Sequence, residues 1–231
     1  MLTTTASPLI SIRLLPLTVI TELTISVILI AYLIYGCNTI DELECTVYNP
    51  PMISDILQYH IYDRIFVFIM TFHSVFVFFG NVRAFYTRFA GIFSDGTNSL
   101  LYWLGIIATV APPLIGIFDE SIFIIHTTVA VTFFLASSLY IIIFIQAVLS
   151  VNDEGVLTPD EEAAVVYLRY LRAVLIIVFV VGFGSLAIHG SGGLTAYAEW
   201  LGTIILIDSF SIMARLDHEA EVVMPQSMLK D

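Results

Sequence analysis

Three ionisable residues lie deep inside apolar segments of this 231-residue chain, at depths that correspond to the middle of a membrane. These are Glu22, His73 and Asp208, which we call the midplane group. Carboxylate and imidazole groups at that depth could relay protons or bind an ion, because ionisable residues inside membranes are usually functional. The interpretation that we favour is simpler: hydrogen bonds among these residues hold neighbouring helices together.

A second set of polar residues lies near one membrane face, and we call it the outer cluster: Asp55, His126, His189 and Glu199. Its imidazoles and carboxylates could bind zinc, or act as acid and base on a lipid headgroup. However, no H-E-x-x-H motif occurs, and each histidine is the only one in its segment. We therefore predict no metal, no cofactor and no catalytic residue. We expect His126 and Glu199 to approach each other, with Asp55 lying over them.

Six long apolar stretches must position these residues. About 20 apolar residues are needed to cross a bilayer as a helix, and the hydrophobic fraction of 58% and the mean hydropathy of +0.95 are typical of a membrane protein. The sequence predicts an all-α, polytopic bundle of six transmembrane helices, with residues 1–231 as a single domain. The predicted spans are residues 15–36, 61–80, 99–118, 121–149, 167–189 and 196–215.

The basic residues predict how the bundle is oriented. The chain has eight Lys and Arg residues. Only Arg64 falls in a segment on the outer side. The others share the side of the termini: Arg13, Arg83, Arg88, Arg169, Arg172, Arg215 and Lys230. Positive charge is enriched in cytoplasmic loops, so we expect both termini on the same, inner side. The net charge of −12 argues against a nucleic-acid partner, which would require a basic surface.

The two longest loops carry further signals. Cys37 and Cys45 lie in the first outer loop, where they form either a disulfide or two unrelated thiols. In the inner loop, Thr158-Pro159-Asp160-Glu161 has the pattern of a helix N-terminus with a capping box. The same loop also partly fits the spacing of an EF-hand, although Ser150 stands where the first carboxylate ligand is expected.

Several short motifs, taken in order, resemble the Frag/DRAM/Sfk family of six-span membrane proteins over residues 15–215. In the first half the similar residues are Cys45, then Pro51-Met52-Ile53-Ser54-Asp55, then Arg83-Ala84-Phe85-Tyr86. In the second half they are Leu104-Gly105, Phe118, Ile125-His126, Phe134, Tyr140 and Tyr197-Ala198-Glu199-Trp200. The resemblance implies lipid-related or trafficking roles, in GPI-lipid remodelling or autophagy, with no common catalytic mechanism. It also implies importance for Pro51, Ser54, Asp55, His126 and Glu199.

Three functions are compatible with this sequence. We expect a non-enzymatic, lipid-contacting subunit of a larger membrane assembly, for example a respiratory complex of the mitochondrial inner membrane, because neighbouring subunits would readily order the short tails. The partners would then be membrane lipids and other membrane subunits. The alternative is a lipid-handling or trafficking protein of the endomembrane system. The third hypothesis is a lipid-modifying enzyme that uses His126 and Glu199.

Overall fold

Six helices that are long and apolar enough to cross a membrane make up most of the chain. The computed structural model describes residues 9–43, 45–118, 120–151, 157–190, 193–217 and 221–225. Within these ranges the candidate spans are Val19–Thr39, Ile61–Arg88, Asp95–Ile117, Phe123–Val151, Pro159–Ile188 and Leu194–Leu216. The helical, six-span architecture predicted from the sequence is therefore confirmed.

The helices are numbered in chain order: α1 (Leu14–Thr39), α2 (Ile53–Leu57), α3 (His60–Val77), α4 (Ala84–Arg88), α5 (Asp95–Ile117), α6 (Phe123–Val151), α7 (Pro159–His189) and α8 (Leu194–Met213). A π-helical segment, Phe78–Arg83, joins α3 to α4. Short 3₁₀ turns occupy Glu120–Ile122 and Ala214–Asp217. The second span thus continues to Arg88, although the sequence predicted an end at Gly80. A single glycine does not stop this helix, because backbone groups in a membrane must stay hydrogen-bonded.

The two tails form a feature that the all-α prediction missed. Strands β1 (Leu9–Arg13) and β2 (Glu221–Pro225) pair antiparallel, from Leu9 opposite Pro225 to Arg13 opposite Glu221. Both segments are rich in β-branched residues, which favour strands. The pairing holds both ends of the described chain together at one end of the bundle. We call this the inner end and the opposite end the outer end.

Helix α8 is the centre of the bundle and α7 lies at its periphery. In the most apolar part of each span, 67% of residues are buried in α8 but only 17% in α7. Close contacts depend on glycine. A Cβ atom at Gly105 of α5 would lie 2.6 Å from the Val82 side chain, and one at Gly182 of α7 would lie 2.7 Å from the Cβ atom of Ala198. Both distances are too short for any larger residue without a shift of the helices.

The start of α7 is fixed as the sequence predicted. The Thr158 hydroxyl accepts from the Glu161 backbone N–H at 3.4 Å, and the Glu161 carboxylate accepts from the Thr158 backbone N–H at 2.8 Å. The same carboxylate, which is 2% exposed, accepts from Arg88 Nη1 at 2.5 Å. The capping box is confirmed, and it also ties α7 to α4. Residues 152–156, which the EF-hand alternative requires, lie outside the described residues.

Candidate functional site

Two members of the midplane group form a buried pair. Both carboxylate oxygens of Glu22, on α1, lie 2.9 Å from Nδ1 of His73, on α3. Each residue is only 1% exposed. The His73 ring also packs edge-on against Phe210 of α8, with ring centroids 6.1 Å apart. The pair and the Phe210 ring therefore connect α1, α3 and α8, and the architectural role of the midplane group stays a prediction.

Asp208, the third member of the midplane group, faces a different space. It lines a cleft at the inner end together with Val19 and Arg215. Phe210 already packs against His73, and residues two positions apart on a helix point about 200° apart around its axis. This angle explains why Asp208 is directed away from the Glu22–His73 pair although all three residues lie at similar depths.

The outer segment before α2 is held down by α8. The Ile53 backbone N–H donates to Glu199 Oε2 at 2.8 Å, and Trp200 Nε1 donates to the Pro51 carbonyl at 2.8 Å. The Tyr197 hydroxyl donates to the Val47 carbonyl. These bonds fix the first outer loop over the outer ends of the helices. They give the Glu-aromatic motif at 197–200 a structural role that the sequence left open.

A disulfide shortens this loop further. Cys37, in the last turn of α1, is bonded to Cys45. Of the two alternatives that the sequence allowed, the structure contains the disulfide. The bond closes residues 37–45 into a ring, so that the chain after it reaches the outer end of α8.

A cavity of about 180 Å³ opens beneath the loop, between α6, α7 and α8. Most of its wall is apolar, and its inner part includes Phe134, Val178 and Phe179. The polar residues of the wall come from the outer end: Ser54, His126, Thr127, Thr195 and Glu199. The cavity is thus amphipathic along the axis of the bundle, with a polar outer part and an apolar part that extends into the membrane.

The polar groups around the cavity differ in their hydrogen-bond partners. His126 Nδ1 donates to the Phe118 carbonyl at 2.7 Å, which in a neutral ring leaves Nε2 as an acceptor. The Glu199 carboxylate accepts from the Ile53 backbone N–H. Ser54 is 3% exposed, yet its hydroxyl has no hydrogen-bond partner among the residues that the structure describes. Such a hydroxyl can still donate one hydrogen bond and accept another.

Asp55 and His189, the other members of the outer cluster, are not among the described residues that line the cavity. Asp55 accepts from the Met52 backbone N–H at 2.7 Å and so caps its own helix, α2. His189 is the last residue of α7, and its side chain lies outside the described ones. His126 and Glu199 line the same cavity, and their approach to each other beneath Asp55 stays a prediction. Within the described residues, no three His, Cys, Asp or Glu side chains are grouped as metal ligands.

The sequence analysis missed Thr195, which is buried in the cavity wall. Its hydroxyl lies 3.0 Å from Ser185 Oγ and donates to the Gly190 carbonyl at 2.9 Å, and these bonds tie α8 to α7. Small hydroxyl residues in membrane helices commonly form such contacts. That preference was the signal in the sequence that could have identified this residue.

Five spans packed around the sixth, α8, define a multi-pass, helical membrane protein. The family model of the Frag1/DRAM/Sfk1/Cwh43P N-terminal domain matches residues 12–215. The chain belongs to this family, and the resemblance found in its sequence is thereby confirmed. Comparison with curated proteins and with solved structures gave no match.

Proposed function

We propose that this protein handles membrane lipids without catalysing a reaction on them. In this proposal the outer cavity takes one acyl chain of a membrane lipid into its apolar part. The ester region of that lipid then meets the polar groups at the outer end of the cavity. The observation that carries the proposal is the Ser54 hydroxyl, which is buried in the cavity wall and has no hydrogen-bond partner in the described part of the chain.

The size and position of the cavity support a single chain as its occupant. A volume of about 180 Å³ is below the roughly 300–1,000 Å³ of pockets that enclose whole ligands. The cavity lies against α7, the peripheral helix, so the rest of the lipid can stay in the bilayer. The wall is apolar where a chain would lie, and Ser54 can donate to an ester carbonyl where the chain ends.

The contacts of His126 and Glu199 support a non-enzymatic role. His126 Nδ1 is bonded to a backbone carbonyl, and the Glu199 carboxylate holds the backbone of α2. An acid–base catalyst needs its groups aligned with a nucleophile and with donors for the developing charge. These two residues instead fix loop segments, and we propose that the outer cluster is architectural.

The accessory-subunit hypothesis remains a prediction, and we rank it second. That hypothesis rested on the expectation that neighbouring subunits would order the two tails. Instead, β1 and β2 pair with each other. Purification in mild detergent tests the accessory-subunit hypothesis. Co-purification of a stoichiometric membrane partner would favour it over lipid handling.

Photocrosslinking tests the lipid proposal directly. The full chain would be reconstituted with phosphatidylcholine that carries a diazirine on one acyl chain, and the adducts would be mapped by mass spectrometry. We expect adducts at Phe134 and Phe179 in the cavity as well as at Ile177, which is 62% exposed on the lipid-facing side of α7. The exposed residue reports ordinary contact with bilayer lipid.

Filling the cavity separates specific from ordinary contact. Ala130 lines the cavity, so Ala130→Phe should remove the adducts at Phe134 and Phe179 and leave the adduct at Ile177. The matched control is Ala173→Phe, which adds the same bulk at an exposed position of α7. Cavity adducts that persist in Ala130→Phe, or that are absent from the wild type, would refute the proposal.

A further inference from the structure

A second cavity lies at the inner end of the bundle, between α1, α7 and α8. Its volume is about 730 Å³. It shares no lining residue with the outer cavity. Among the described residues, three charged ones line it: Asp160 on α7, Asp208 on α8, and Arg215 in the 3₁₀ turn that follows α8. We call this space the inner cleft.

Asp208 is the residue that needs an explanation. It lies within the sixth span and is half-buried, and its carboxylate forms no hydrogen bond or ion pair within the described part of the chain. A carboxylate in a membrane span is costly unless it is paired or faces a polar space. The Arg215 guanidinium, on the same cleft wall, acts on this carboxylate electrostatically, and a lipid in the open cleft can supply a hydrogen-bond donor to it as well.

The three charged residues follow one another along the axis of the bundle. Gly182 of α7 and Ala198 of α8 lie in contact. Counted from this contact toward the inner end, Val165 on α7 and Arg215 after α8 are the same number of residues away. Arg215 is therefore level with Val165, and Asp160 lies about 7 Å nearer the inner end at about 1.5 Å per residue. Asp208, on α8, lies about 10 Å deeper than Arg215, which is about two turns further along the chain. The order from the inner surface is acid, base, acid.

We propose that the inner cleft binds a lysophospholipid with a primary-amine headgroup, that is, a lysophosphatidylethanolamine. From its polar end, this molecule presents an ammonium group, a phosphate and a free glycerol hydroxyl, which is the order that the cleft can receive. The ammonium donates to Asp160, the Arg215 guanidinium donates to the phosphate, and the hydroxyl donates to Asp208. The single acyl chain then lies along α1 and α7.

The charges argue against the other phospholipids. The described lining residues contribute two carboxylates and one guanidinium, and this excess of carboxylates disfavours an anionic headgroup. A diacyl lipid has only acceptor oxygens at its glycerol and offers no donor to the Asp208 carboxylate. A choline group has no N–H donor and is normally bound by several aromatic rings, whereas Tyr167 is the single aromatic residue among the described lining residues.

Native mass spectrometry of the full chain in detergent tests this assignment. The probes are four lipids with oleoyl chains: lysophosphatidylethanolamine, lysophosphatidylcholine, lysophosphatidylglycerol and dioleoyl-phosphatidylethanolamine. We expect the wild type to retain lysophosphatidylethanolamine about fivefold to tenfold better than each of the others, which is the difference between a charge-assisted and a neutral hydrogen bond. Equal retention of the four lipids would overturn the proposal.

We expect substitution of each charged residue of the inner cleft to change the lipid preference in a different way. Asp160→Asn should abolish the preference over the choline lipid, Asp208→Asn should abolish the preference over the diacyl lipid, and Arg215→Gln should weaken all four. The matched controls, Glu162→Gln and Arg169→Gln, change exposed residues of α7 that do not line the cleft. If the control variants change retention as much as the cleft variants do, the selectivity comes from general charge and the proposal fails. The proposal that the outer cavity takes an acyl chain is tested separately and does not depend on this result.

Discussion

The buried pair of Glu22 and His73 allows a quantitative test of what holds the helices together. The two residues belong to different helices, each is 1% exposed, and the carboxylate contacts His73 Nδ1 at 2.9 Å. Replacing Glu22 by Leu keeps the volume but removes both acceptor oxygens. His73 would then keep a buried polar nitrogen without that partner. We therefore expect Glu22→Leu to destabilise the bundle.

The magnitude follows from two terms. A hydrogen bond between membrane helices contributes about 0.6–2 kcal/mol, and a buried group left unsatisfied costs about 1–3 kcal/mol. The lipid-like environment of the new Leu offsets part of this, so we expect a loss of about 2–3 kcal/mol. Glu22→Gln keeps an acceptor oxygen for His73 and should lose less than about 1 kcal/mol.

A double variant provides the decisive comparison. Replacing both partners by apolar residues of similar shape is often nearly neutral, so Glu22→Leu combined with His73→Phe should recover most of the lost stability. The new Phe can pack against Phe210 as the imidazole does now. The free energy of unfolding would be measured by circular dichroism during titration of mixed micelles with SDS. Glu42→Leu, in the exposed outer loop, is the control and should change stability by less than about 0.5 kcal/mol.

Two results would refute this reasoning. If Glu22→Leu unfolds at the same SDS fraction as the wild type, the pair contributes nothing to the bundle. If the double variant is less stable than Glu22→Leu alone, the loss comes from packing around His73 and not from an unsatisfied nitrogen.

Three further predictions concern packing, capping and orientation. Gly105→Leu should destabilise the bundle by about 1–3 kcal/mol because its side chain would collide with Val82, and Val82→Ala should restore part of the loss in the same SDS titration. Thr158→Ala should lose about 1 kcal/mol with its cap, and it should speed hydrogen exchange in the first turn of α7; unchanged exchange would contradict this. Finally, Tyr48→Cys in the outer loop and Gly96→Cys in the first turn of α5, at the inner end, should react with a membrane-impermeant maleimide from opposite sides of sealed cells or vesicles. Labelling of both from one side would contradict the six-span topology.

Local signals were sufficient for much of the architecture. The apolar stretches predicted the six spans because a bilayer permits little except helices there. The capping box at Thr158 and Glu161 was identifiable because a helix N-terminus is decided by residues within one turn of each other. The order of short motifs was sufficient to identify the family. The pairing of the two tails was not predicted, because strand pairing depends on a partner more than 200 residues away along the chain.

The grouping of the polar residues was decided only by the tertiary structure. Counting residues along a helix gives the depth of a side chain, and it placed Glu22, His73 and Asp208 in one layer. It does not give the direction in which each side chain points, which depends on how the helices are rotated and packed. Packing of Phe210 against His73 turns Asp208 toward the inner cleft, and the gap between α6 and α7 leaves Ser54 at the wall of a cavity. Both candidate lipid sites therefore arise from helix rotation, which is a property of the assembled bundle and not of any single segment.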